Sequence, residues 1–214
     1  MTALLRILVT LFAFGAASAA QAHPHVWVTM KSEVVYAPDG TLTGIRHEWA
    51  FDDMFSAFAT QGLESKKKGE FTRAELAPLA EVNVTSLKEY DYFTQVVADG
   101  KKIELTDPVK GDYWLEYKDA ILTLKFVLPL KQPIKAHTVD VDVFDPTIFV
   151  DFSFQKEHPV SLAGAPAGCK IGFQLPREMT FQESKKLAEI PADQQNTSMA
   201  FGAQFANKIK VTCP

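Results

Sequence analysis

The sequence has little cysteine, two residues in 214. That is too few for a disulfide-framework miniprotein or a four-cysteine zinc site. It also lacks a basic excess: 22 Lys+Arg stand against 26 Asp+Glu, a formal charge of −4, and no arginine-rich face can be drawn. This balance argues against a nucleic-acid partner and against anchoring to anionic lipid. Beyond the first residues there is no apolar run long enough to span a bilayer. No G-x-S-x-G, H-E-x-x-H or P-loop occurs, nor any internal repeat or low-complexity segment. The common hydrolase, zincin and nucleotide-binding chemistries therefore have no motif to rest on.

What is present points to a folded, exported chain. Apolar residues make up 47% of the sequence and 16 of them are Phe, enough for a core and too many for wholesale disorder. Arg6, the apolar run Ile7–Phe14 and the small-residue ending Ala20-Gln21-Ala22 describe a secretory signal peptide over residues 1–22. The apolar run is short for a membrane anchor. The expectation is a periplasmic protein with no stable membrane insertion once the leader is removed, folded as one domain over 23–214. A break into subdomains near 92–108 is left open.

Cleavage after Ala22 changes the chemistry of the new N-terminal segment, His23-Pro24-His25-Val26-Trp27-Val28. His23 then carries a free α-amine, with a pKa near ~8, that chelates together with its own imidazole. His25, two residues on, points to the same side of an extended chain. Pro24 has no amide hydrogen, so a deprotonated backbone nitrogen is unavailable there. One amine and two imidazoles suit Ni(II), Cu(II) or Zn(II). The competing reading is two solvated polar residues at a frayed end.

Val26–Tyr36 alternates and is rich in β-branched residues, Pro38-Asp39-Gly40 is a turn, and Thr43–Phe51 returns as a second strand. Pairing Glu33 with Arg46 and Lys31 with Glu48 matches opposite charges. That register puts Val26, Val28, Met30, Val34, Ile45, His47, Trp49 and Phe51 on the core face. His25, Trp27, Thr29, Glu48, Ala50 and Asp52 then share the other face. Asp52 falls diagonal to His25, as a carboxylate ligand or as an acceptor that orients a ligating histidine. Asp52-Asp53 also reads as the N-cap of a helix beginning near Met54, and the two roles are compatible.

Further along, Thr72-Arg73-Ala74-Glu75 is a capping box opening a helix toward Tyr90, with Pro78 straining its second turn. From Phe93 the pattern is β-rich, with a hairpin at Asp99-Gly100 and strands at 113–117, 121–128, 137–144, 148–154, 169–173 and 207–213. Pro129 and Pro133 punctuate, and a helix is expected over Thr180–Ile190. The fold class expected is α+β, dominated by antiparallel hairpins with two or three helices. Cys169 and Cys213 each fall in a strand of an exported chain, so a disulfide between them is expected; no C-x-x-C spacing supports a redox pair. His47 reads as a buried, hydrogen-bonded histidine. His137 and His158 bound β segments and are open candidates for the metal, as are Asp53 and Asp145, although a turn explains Asp145.

Four ordered motifs carry a resemblance: His23-Pro24-His25-Val26, Trp49-Ala50-Phe51-Asp52-Asp53-Met54-Phe55-Ser56, Phe144-Asp145-Pro146-Thr147-Ile148-Phe149-Val150-Asp151-Phe152 and Val211-Thr212-Cys213-Pro214. The chain resembles the bacterial exported family known as domain of unknown function 1007. That family is often labelled the periplasmic component of an uncharacterised ABC-type transport system. The resemblance implies a link to transition-metal transport, since such genes often accompany nickel/cobalt-type exporter permeases. It carries over His23, His25 and Asp52, with Asp145 as a further position. The expectation is a periplasmic accessory protein that binds nickel, cobalt, zinc or copper and buffers it or hands it to an inner-membrane transporter or permease. The alternatives are a copper-dependent oxidase-like enzyme with an N-terminal histidine brace, and a metal-independent interaction module.

Overall fold

The structure, a computed structural model, describes residues 24–67, 69–189 and 199–214. The expected leader and His23 lie outside the described residues, as does Ile190. Among the described residues, eleven strands form two sheets. β1 (Val26–Tyr36), β2 (Leu42–Phe51), β5 (Tyr113–Lys118), β6 (Ile121–Ile134) and β8 (Val150–Phe154) run in the order β5-β6-β2-β1-β8, and β9 (Val160–Ala163) also pairs with β1. The second sheet has the order β10-β11-β7-β3-β4, built from β3 (Thr94–Ala98), β4 (Lys101–Ile103), β7 (Thr138–Val143), β10 (Lys170–Gln174) and β11 (Asn207–Thr212). Four α-helices among the same residues complete the fold: α1 (Asp53–Thr60), α2 (Arg73–Leu87), α3 (Phe181–Ala188) and α4 (Met199–Gly202). The class is α+β with mostly antiparallel pairing.

Charge matching selects the β1–β2 register. Glu33 lies opposite Arg46 and Lys31 opposite Glu48, and the Glu33 carboxylate accepts from the Arg46 guanidinium. The apolar alternation then buries Val26, Val28, Met30, Val34, Ile45, Trp49 and Phe51. Trp49 sits where aromatic rings converge, edge-on to Phe126 and to Phe152, each at 4.8 Å between centroids. One apolar cluster runs from these residues into Val96, Val139, Val141, Val143, Ile209 and Val211 of the second sheet. Cys169 and Cys213 form a disulfide that ties the β10 side to the end of β11.

Some elements differ from expectation. β6 continues through Pro129 and Pro133 because the register to β2 shifts between Leu42 and Gly44, relieving the ladder where the prolines sit. α2 begins on its capping box and keeps Pro78 inside, but ends at Leu87 and passes into a 3-10 segment, Lys88–Phe93. Asp91, Tyr92 and Phe93 there take φ values of 49°, 52° and 50°, the left-handed region that side chains disfavour. The largest addition is parallel pairing: β8 and β9 both run parallel to β1, and neither pairing is expected from hairpin reading.

His47 joins the two sheets. It is fully buried, with Nδ1 2.9 Å from Ser32 Oγ on β1 and Nε2 3.3 Å from Thr94 Oγ1 on β3. Burial holds the imidazole neutral and pulls its pKa from 6.5 down to about 3. The unfolded chain protonates this group near 6.5 and the folded chain only near 3, so the unfolded state binds more protons in between. Stability is therefore fully present above pH 6.5 and falls as the pH drops, by about 1.4 kcal/mol per pH unit from this residue. Urea unfolding at pH 7.0, 6.0 and 5.0 checks this: the slope is expected in the native chain and strongly reduced in His47→Leu. An equal slope in both would assign it to other groups.

Candidate functional site

The site is built at the start of β1. Asp52 N-caps α1, its Oδ1 accepting from Phe55 N at 2.8 Å. Its Oδ2 accepts from Trp27 N at 2.9 Å, and its own backbone N donates to Trp27 O at 2.9 Å. One carboxylate thus caps a helix and clamps β1 beside His25, satisfying amides that would otherwise be orphaned. Each carboxylate oxygen keeps a further lone pair.

Asp145 holds the other flank. It is 5% exposed, and its Oδ1 accepts from Thr147 N at 2.7 Å and Thr147 Oγ1 at 2.8 Å. Its Oδ2 accepts from Phe149 N at 3.0 Å and Val150 N at 2.9 Å. Four donors on one carboxylate shape the loop 145–150, with Ile148 in the left-handed region at φ 59°. The loop delivers Phe149 O to His25 N at 2.8 Å and lays the Phe149 ring 4.7 Å from the His25 imidazole. Asp145 is thus the organiser of the loop that supports His25.

The parallel register then sets the outer face. Trp27 lies opposite Asp151 on β8, while the flanking pairs Val26/Val150 and Val28/Phe152 turn inward. His25, Trp27 and Asp151 share the exposed side. Asp52, one residue past the end of β2, and Asp151 on β8 flank Trp27, each diagonal to His25, with neighbouring backbones about 4.8 Å apart. The Asp151 side chain makes none of the hydrogen bonds or ion pairs found among the described residues. Protein crowding raises its carboxyl pKa above the ordinary aspartate value although the side chain still reaches solvent. It opens into a cavity of ≈ 420 Å³ whose wall includes Pro24, Arg177, Ser184 and Phe205. Arg177 is not a free cation there: its guanidinium is paired with Glu183, bonded to Gln204 and placed 4.2 Å over the Phe205 ring.

The other expected residues fall elsewhere or take structural roles. Asp53 is exposed at the first position of α1, its Oδ1 accepting from Met54 N at 2.9 Å. His137 precedes β7, with Nδ1 2.8 Å from Pro214 O. Eight residues of nearly extended chain, about 25 Å, separate it from Asp145, so it does not join His25. His158 lies in the turn between β8 and β9. Among the described residues, no group of three or more His, Cys, Asp or Glu side chains is placed to hold a metal ion. His25 and the two aspartates supply nitrogen and oxygen donors on one face, which is the donor chemistry of borderline divalent metals, and His23 lies outside the described residues. Sequence reasoning left Asp151 unassigned, because only the β1–β8 pairing brings it to the site. The signal available was the matching alternation of Val26-Trp27-Val28 and Val150-Asp151-Phe152.

The chain belongs to the family described as Protein of unknown function (DUF1007), whose profile matches residues 8–213. This is the family its four motifs suggest. An uncharacterized protein of Haemophilus influenzae is 22% identical over 195 residues, covering 90% of this chain and 91% of that one. An uncharacterized 15.5 kDa protein in the trpE 3′ region of Spirochaeta aurantia is 34% identical over 101 residues, 47% of this chain and 71% of its own.

The hydrogen-bond pattern ranks the two anchoring aspartates. Asp145→Ala strands three part-buried backbone amides and the Thr147 hydroxyl and is expected to cost about 3 kcal/mol, against about 1–2 kcal/mol for Asp52→Ala. Asp52→Asn keeps an acceptor and loses less than Asp52→Ala. Chemical denaturation of the three variants beside the native chain measures the order. An Asp145→Ala cost below that of Asp52→Ala contradicts the assignment.

Proposed function

We propose that this is a periplasmic divalent transition-metal-binding accessory protein that buffers a metal or delivers it to an inner-membrane transporter. The observation that carries the reading is the exposed face where the chain enters β1: the His25 imidazole diagonal to two carboxylates, Asp52 and Asp151. His23, as the first residue after leader removal, adds an amine and a second imidazole. The full set of nitrogen and oxygen donors accepts nickel, cobalt, zinc or copper, and on affinity alone nitrogen donors favour copper and nickel. Such a set is open to solvent and to a partner, which suits transfer more than permanent storage. No helix among the described residues is long and apolar enough to cross a membrane, so on this reading the membrane step belongs to the partner.

Metal affinity rises with pH, since the amine and both imidazoles must lose protons before they bind. Equilibrium dialysis with metal analysis on protein processed by a periplasmic host is expected to give one ion per chain. His25→Ala loses at least tenfold in affinity, Asp151→Asn less, and one extra residue before His23 weakens binding by removing the amine chelate. Absence of stoichiometric metal, or unchanged affinity in His25→Ala, refutes the reading.

A further inference from the structure

Behind the loop that supports His25, on the inner side of the first sheet, lies a second cavity of ≈ 490 Å³. That volume is in the range of small-molecule sites. Its floor is Val26, Val28, Trp49, Phe51, Phe93 and Phe152, all buried core side chains. The strained Asp91–Phe93 turn sets Phe93 into this floor. Its rim carries Val82, Tyr90 and Phe149, which are 60%, 48% and 44% exposed. A water-facing hollow this apolar has a cost that a bound apolar molecule removes by covering it.

The polar groups of the wall define the class of occupant. Among the described residues they are Asn83, Ser86, Tyr90, Thr147 and Asp145, with no Lys, Arg or His in the lining. The Asp145 carboxylate is already saturated by four donors, and an anionic headgroup brought beside it would meet like charge with no cation to compensate. The Thr147 hydroxyl donates to Asp145 and one Asn83 N–H to Leu79 O, so a neutral oxygen is met by the Ser86 and Tyr90 hydroxyls, the second Asn83 N–H and an accepting lone pair on Thr147 Oγ1. The floor residue Trp49, 1% exposed, carries an indole N–H without an acceptor among the described residues. We propose that this cavity is a binding site for a neutral apolar molecule ending in a hydroxyl or carbonyl oxygen, and that it discriminates against the corresponding carboxylate. The site is separate from the metal reading: its lining holds neither His25 nor Asp151.

The test uses the neutral fluorescent amine N-phenyl-1-naphthylamine as probe, titrated into the full processed protein at pH 7.5 with a chelator present. One saturable site per chain is expected, with 1-decanol displacing the probe at least tenfold more effectively than decanoate. Ser86→Trp places bulk on an exposed rim position and Val28→Phe fills the floor; each is expected to weaken the probe at least tenfold. Should Val28→Phe fail to fold, Ser86→Trp alone decides. His25→Ala is expected to leave probe affinity unchanged, which separates this result from the metal result. No saturable probe binding, equal displacement by decanoate, or full affinity in Ser86→Trp overturns the proposal.

Discussion

The carboxylate of Asp145 gathers donors from Thr147, Phe149 and Val150, and the geometry around the start of β1 depends on it. By closing that loop it aligns β8 parallel to β1, hands the Phe149 carbonyl to the amides of His25 and Val26, and stands the Phe149 ring beside the imidazole. Without the loop, β1 would keep only β2 and Asp52 to hold its first residues. An aspartate whose sequence context reads as a simple turn is thus the support on which both faces of this end of the sheet are built.

Those two faces have opposite character because strand alternation sends successive side chains to opposite sides. Outward go His25, Trp27 and Asp151, giving nitrogen and oxygen donors open to solvent. Inward go Val26, Val28 and Phe152, giving the floor of an apolar hollow. Phe149 belongs to both, as a neighbour of the imidazole and as part of the rim. A change in the loop is therefore felt on both sides, while a substitution at His25 or at Ser86 is felt on one.

The hairpin was legible in the sequence down to its register, because a one-residue slip would have set Glu33 and Lys31 against the wrong partners and exposed the apolar stripe. The Asp52 cap, the capping box at Thr72, the Asp99-Gly100 turn and the Cys169–Cys213 bridge were legible for the same reason: each is a local signal or a simple pairing. The parallel strands were not. β8 and β1 are joined across more than a hundred residues, and no local pattern states which distant strand adds to an open edge. Asp151 was lost with that pairing, since its relevance lies in standing opposite Trp27. The left-handed turn at Asp91–Phe93 was equally hidden, because aspartate tolerates that region but Tyr92 and Phe93 carry no preference for it, and tertiary packing holds them there.

Metal binding by the His25 imidazole, within a shell of nitrogen and oxygen, is the claim on which the functional reading stands. X-ray absorption at the metal edge of processed protein, loaded with one equivalent of zinc or nickel, reads that shell directly. The prediction is a first shell of nitrogen and oxygen with the outer-shell scattering of imidazole, diminished in His25→Ala. The spectrum of the hydrated ion, identical in the native chain and in His25→Ala, would contradict it.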